Sequence, residues 1–192
     1  MKLLPQNFYK RDTLTVAKDL LGCIFVKEDF KTGLMQLGRI VETEAYTQND
    51  PSCHAYRGKT KRSITLFKDP GLSYVYFTYG MYHCINIVTE PFDTAGAVLI
   101  RALEPIKNIE NTNGPAKLCR EMNITKEHNE LKVFDKNSVI RVYQGVPPKE
   151  EDIVQTTRIG IKLAADYPWR FYDNSSKYVS KKIKCLSYNL PK

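Results

Sequence analysis

Strand-like runs separated by polar stretches dominate the pattern of this chain, and helical periodicity is confined to two short stretches. In residues 12–22, Leu14, Ala17 and Leu21 fall on one helical face, Asp12 or Thr13 stands where an N-cap belongs, and Gly22 supplies a stop. Residues 23–27 predict a short strand and 38–46 a second, favoured by β-branched residues although it carries two glutamates. Residues 47–70 are polar and contain Asp, Pro, Gly and Lys, which predicts a long loop of a length that compact domains usually keep for function. Two further runs, 72–79 and 81–89, are hinged at Gly80, and 95–103 is another strand. Gly114 and Pro115 open the second helix, with Pro at its first position and an end near Asn123. Residues 139–143 read as a strand, 145–152 as a Pro-rich loop and 158–161 as a short strand.

Many strands with few and short helices predict an α+β fold in one domain spanning residues 1–192. The expected architecture is a curved, open-barrel-like antiparallel sheet with helices against it and a protruding hairpin. From about residue 173 the chain is expected to continue as a Lys-rich tail. At 192 residues a single core buries most of its apolar surface without cross-links.

Composition narrows the class. Lys and Arg number 29 against 21 Asp and Glu, a formal charge of +8, and 12 residues are Tyr. A basic domain rich in a side chain that both stacks and hydrogen-bonds is a candidate for nucleic-acid binding. The five cysteines, Cys23, Cys53, Cys84, Cys119 and Cys185, are odd in number and form no C-x-x-C pair, which argues against a disulfide framework and a zinc ribbon. The first residues are too few and too polar for a signal peptide, and no apolar run approaches membrane-spanning length. The expected setting is cytoplasmic, nucleoid-associated in a bacterium.

Candidate chemistry gathers on a few residues. Glu42, Glu44 and Tyr46 alternate onto one strand face, which is either a solvated edge or the wall of a site; residue type alone favours the edge. Two carboxylates on one strand face suit a sugar glycosidase poorly, because such a pair must flank a bond from opposite sides. His54, beside Cys53, stands at no metal-ligand spacing from His83, His128 or the cysteines. Tyr74 and Tyr76 share one face, and Val75, Phe77 and Tyr79 the other; a core role accounts for Tyr74 and Phe77. Tyr79, next to Gly80, is expected at a hairpin tip, where an aromatic ring suits insertion into a base stack. His54, Arg57, Lys59, Lys61, Arg62 and Lys68 surround the long loop, either as solvated surface or as phosphate contacts.

These residues resemble a known family. The stretch Val41-Glu42-Thr43-Glu44-Ala45-Tyr46 followed by His54-Ala55-Tyr56-Arg57-Gly58 is similar to the active-site stretch of the alkyladenine (3-methyladenine) DNA glycosylases. Tyr74 to Tyr82 with Asn86 resembles their base-flipping hairpin, and Ala97 to Pro105 their next strand. Gly114-Pro115-Ala116-Lys117-Leu118-Cys119 and Thr157-Arg158-Ile159-Gly160-Ile161 continue the likeness in order, from the first helix to about Tyr172. The chain departs from the family pattern in Gln48-Asn49-Asp50, one residue shorter than a Gly-Pro-Glu-Asp stretch, and in Ala116 where Gly is commoner.

The resemblance implies an enzyme that flips alkylated purines out of duplex DNA and hydrolyses the N-glycosidic bond, leaving an abasic site. It implies that Glu44 activates water, that Arg101 and the main chain around Val98 position that water, and that Tyr46, His54 and Tyr76 hold the flipped base. Asn86 corresponds to the residue that crowds the amino group of guanine, and Tyr79 to the side chain that fills the vacated space in the duplex. The partner implied is double-stranded DNA containing damaged purines. No cofactor, metal or membrane is implied, and a monomer is expected. The alternative is a nucleic-acid-binding module without chemistry, in which Glu44 is exposed and dispensable. A formyl- or acyl-transfer relative is a further rival, since curved sheets host several functions.

Overall fold

The computed structural model describes residues 1–78 and 81–183. A short helix, α1 (Gln6–Tyr9), precedes α2 (Thr13–Asp19), whose N-cap Asp12 accepts a hydrogen bond from the Thr15 N–H. Gly22 follows with φ of +85°, and a Cβ there would lie 2.1 Å from the Val146 carbonyl oxygen, so both conformation and space require glycine.

The strands are β1 (Ile24–Asp29), β2 (Leu34–Thr47), β3 (Ser73–Thr78), β4 (Tyr82–Val88), β5 (Gly96–Lys107), β6 (Ile140–Tyr143), β7 (Ile153–Thr156) and β8 (Arg170–Asp173); α3 (Pro115–Glu121) follows β5. They form one antiparallel sheet in the order β3-β4-β5-β2-β1-β6, and β8, paired with β7, also lies against β2. The sheet curls as a half-barrel, and with its few short helices it is the α+β fold that the pattern predicts. Helix α3 starts as expected, with Pro115 at its first position and Gly114 as N-cap.

Strand β2 organises this curl. One of its edges pairs with β5 from Leu37 to Thr47; the other pairs first with β1 and then, from Glu42 to Glu44, with β8. Register shifts between Ile40 and Thr43 mark the change of partner, and bulges of this kind bend a strand and re-aim its side chains. The main core lies beneath, where Val16, Leu20 and Leu21 meet Phe25, Ile40, Ile85, Ile100, Leu103 and Phe171. A second cluster, built on Leu66, Phe67, Tyr74, Val88 and Ala97, packs under residues 47–70. That segment is therefore tied to the sheet, through a 3-10 turn at Ile64–Phe67.

The structure corrects two local expectations. Residues 158–161 form a bend, although Ile159 and Ile161 favour extension; the strand lies earlier, at Ile153–Thr156, and Gly160 has a φ of +78°. Phe77 is not a core residue, since half of its surface is exposed. The tail expected from about residue 173 begins at the last residue of β8. As far as Ile183 it lies against the protein, with Ser176 and Val179 buried. Tyr79 and Gly80, on which the hairpin tip was placed, lie outside the described residues.

Candidate active site

Glu44 stands mid-way along β2, opposite Leu99 of β5 and Arg170 of β8. Its side chain is fully buried, as is that of Glu42, so the solvated-edge expectation for this strand face is overturned. Burial of two carboxylates demands partners, and all of these but Tyr46 come from remote parts of the chain. Glu44 Oε1 accepts the Ile159 N–H at 2.7 Å, its Oε2 accepts the Tyr46 hydroxyl at 2.8 Å, and Arg101 Nη1 lies 3.2 Å from the same Oε2. A carboxylate offers about four acceptor positions, so Oε1 keeps capacity for one further donor.

Tyr46 joins this carboxylate to a pocket. The pocket holds about 190 Å³ and is lined by Tyr46, His54, Tyr74, Tyr76 and Asn86, with Cys53, Ala97 and Gly160 among the remaining walls. Register explains the convergence: Tyr74 pairs with Asn86, Asn86 with Leu99, and Leu99 with Glu44, so one row across four strands carries two pocket walls and the carboxylate. The His54 and Tyr76 rings meet edge to face at 4.6 Å, and His54 Nδ1 lies 2.9 Å from the Tyr74 hydroxyl. The Asn86 amide donates to the Tyr74 carbonyl at 3.2 Å, which fixes its orientation in the wall. Arg62, exposed at the mouth, places its guanidinium 5.4 Å from the Tyr76 ring centre.

Burial sets the protonation of these groups. It pushes His54 down to about 4, with the Arg62 charge acting in the same direction, so the imidazole is neutral at physiological pH. It also holds the hydroxyls of Tyr46 and Tyr76 far above their ordinary range and raises Tyr74 to about 12, so all three remain protonated donors. Burial pushes the Glu42 carboxyl up, but Arg101 and Arg170 outweigh it and bring it below the usual carboxylate value. Burial likewise works against the charge on Arg101, and Glu44 and Glu42 more than restore it.

The structure thus brings Glu44, Arg101 and Tyr46 together, and sets His54, Tyr76 and Asn86 around the adjoining pocket. Val98 stands opposite Ala45, one position off the partner of Glu44, with its side chain in the core. The main-chain group that meets Glu44 belongs instead to Ile159, which the sequence reading did not single out. It also passed over Arg170 and the buried pair of Asp50 with Arg158, which precedes Ile159. The only available signal was charge at positions 158 and 170 beside apolar neighbours. Among the described residues, no group of three or more His, Cys, Asp or Glu stands close enough to hold a metal ion, and no helix is long and apolar enough to cross a membrane.

Residues 7–177 match the family model described as methylpurine-DNA glycosylase. Among curated proteins, the chain is 51% identical to one from Carboxydothermus hydrogenoformans, over 94% of this chain and all of that protein. It is 44% identical to one from Methanoculleus marisnigri, over 93% of this chain and 99% of the relative. A third, from Clostridium botulinum, is 43% identical over 94% of this chain and the whole of the relative. All three carry the name "Putative 3-methyladenine DNA glycosylase".

Proposed function

The chain belongs to the methylpurine-DNA glycosylase family, and from that premise we propose that it flips alkylated purines out of duplex DNA and hydrolyses their N-glycosidic bond. The observation that carries this reading is the contact between Tyr46 and Glu44. One side chain both lines a purine-sized aromatic pocket and hydrogen-bonds a buried carboxylate.

Alkylation at N3 or N7 puts positive charge on the base and weakens its bond to the sugar. As that bond breaks, the sugar develops oxocarbenium character. A buried carboxylate stabilises that charge and takes a proton from the attacking water, roles we assign to Glu44. The remaining acceptor capacity on Oε1, next to the Ile159 main chain, is where that water would be held, so Ile159 replaces Val98 in the water-positioning role. Arg101, with Nη1 3.2 Å from Oε2, holds the carboxylate in orientation. The product is an abasic site; strand cleavage is not expected, because among the described residues no lysine lines the pocket.

Tyr46, Tyr76 and His54 hold the extruded base. An aromatic face contributes roughly 0.5–2 kcal/mol toward a cationic ring, and a neutral His54 adds no opposing charge. Extrusion costs a few kcal/mol and least at a damaged pair, so flipping, stacking and leaving-group quality together select the lesion. 3-Methyladenine and 7-methylguanine are the substrates proposed first, with hypoxanthine and ethenoadenine as neutral alternatives. Tyr79 is proposed to enter the gap left in the stack.

The test is a nicking assay on oligonucleotides carrying a single lesion, with and without alkali. Alkali-dependent nicking at the lesion supports the reading, and binding without any nicking would leave the non-catalytic module as the better account.

A further inference from the structure

Glu42 does not line the pocket, yet its carboxylate accepts four hydrogen bonds. Its Oε1 accepts Arg101 Nε at 2.9 Å, Arg170 Nε at 2.7 Å and the Ser180 hydroxyl at 2.8 Å, and its Oε2 accepts the Ser180 N–H at 2.6 Å. Arg170 in turn donates to the Lys181 carbonyl and lies over the Tyr172 ring at 4.7 Å. Arg101 is the shared element: Nε is taken by Glu42, while Nη1 faces Glu44. Two carboxylates and two guanidiniums thus form one buried, charge-balanced chain, closed at its far end by Ser180.

We infer that Glu42 is a positioning residue for the hydrolytic reaction, acting through Arg101, and that residues 174–183 hold it in place. The inference rests on the reading of Glu44 as the base. A guanidinium is planar, and fixing its Nε edge fixes where Nη1 points. Arg101 also sits where the β2–β5 register slips by one residue, so strand pairing alone does not set its direction. Glu42 supplies that direction, and Arg170 and Ser180 prevent Glu42 from turning toward solvent. An argument from stability alone leaves the shared guanidinium unexplained, because a buried ion pair contributes little over an apolar replacement.

The experiment is a double-mutant cycle read by single-turnover excision, alongside affinity for lesion DNA and a thermal melt. Glu42→Gln should slow excision about 100-fold, the scale expected when a catalytic group is misplaced by about an ångström, while affinity changes less than about threefold. In an Arg101→Gln background the same change should slow excision by less than about threefold, because the group it positions is gone. Ser180→Ala keeps every charge and should show the same dependence on Arg101 in milder form, so it carries the test if Glu42→Gln does not fold. Additive losses in the two backgrounds, or a loss of binding equal to the loss of rate, would overturn the inference. The Arg101 Nε proton gives a reading that needs no activity. It should exchange slowly in the wild-type protein and rapidly in Glu42→Gln, and slow exchange in both would also overturn it. Wild-type protein that shows the slow proton but no excision refutes the proposed reaction and leaves the clamp standing.

Discussion

The Ile159 N–H donates to Glu44 Oε1 at 2.7 Å, although 115 positions separate the two residues. It fixes one oxygen of a buried carboxylate with a group that mutation cannot remove without rebuilding the backbone. The opposite oxygen is held by Tyr46 and Arg101. The carboxylate is therefore oriented from two sides before any substrate arrives, which is what preorganised catalysis requires.

Glu44→Gln keeps the shape and removes the charge and the base. Excision in a single turnover should fall by about 10²–10⁴-fold, while affinity for lesion DNA stays near that of the wild type. A rate within tenfold of wild type would show that another group activates the water.

Asn86 forms the pocket wall opposite Tyr74, and its amide is anchored to the Tyr74 carbonyl. An anchored side chain does not swing aside for a bulkier base. Asn86→Ala or Asn86→Ser should therefore raise release of normal guanine, above all at mismatches, with excision of adenine lesions largely intact. Guanine release that stays at the wild-type level in both variants would remove Asn86 from the role of excluding a 2-amino group.

His54 titrates near 4 in the fold against an ordinary 6.5, so between those values the unfolded chain binds more protons than the folded one. Stability contributed by neutral His54 is thus present above about pH 6.5 and drains away as the pH falls toward 4. Its partial exposure trims the effect to about 1–3 kcal/mol. His128 is lowered in the same direction by burial and by Lys27, so the measurement is a difference. The drop in melting temperature from pH 6.5 to 4.5 should be smaller in His54→Gln than in wild type. Equal drops would mean that His54 is solvated in the folded protein.

Local rules read β1 to β6 and the two principal helices from the sequence, but not β7 and β8, because period-two runs, Asp12 as a cap and Pro115 at a helix start are signals within a few residues. Alternation also put Glu44 and Tyr46 on one face and Tyr74 with Tyr76 on another. What it could not supply was the partner of each buried charge. Glu42 and Glu44 looked solvated because the arginines that neutralise them lie at positions 101 and 170, and the hydroxyl that completes the bonding of Glu42 at 180. Residues 158–161 looked extended because Ile159 and Ile161 favour strands, while the chain bends at Gly160, whose φ is +78°, and turns the Ile159 N–H to Glu44. Phe77 looked like core because a hydrophobic residue in a strand usually is, but on β3 the face of Val75 leaves the core before it reaches Phe77.

That bend points to a last prediction, about Asp50 and Arg158. Both side chains are completely buried, and they pair directly with each other. Arg158 also donates to the Ala45 carbonyl at 2.9 Å, and its guanidinium lies between the Tyr46 ring at 4.6 Å and the Trp169 ring at 5.1 Å. The next residue is Ile159, so whatever holds Arg158 also sets the donor to Glu44. Asp50 anchors the start of the 47–70 segment as well, since its carboxylate accepts the Ser52 N–H at 2.9 Å, two residues before His54. Removing the carboxylate leaves a buried guanidinium without its counter-charge, a change that costs about 3–5 kcal/mol. Asp50→Asn should therefore lower the melting temperature strongly and slow excision at temperatures where the protein is still folded, because His54 and Ile159 both lose their support. Arg158→Lys separates the two effects. It keeps the charge but not the fork that reaches Asp50 and Ala45 together, so it should recover part of the stability of Asp50→Asn and still excise slowly. An Arg158→Lys protein with wild-type excision would show that Ile159 is held by the backbone of its own bend rather than by the ion pair.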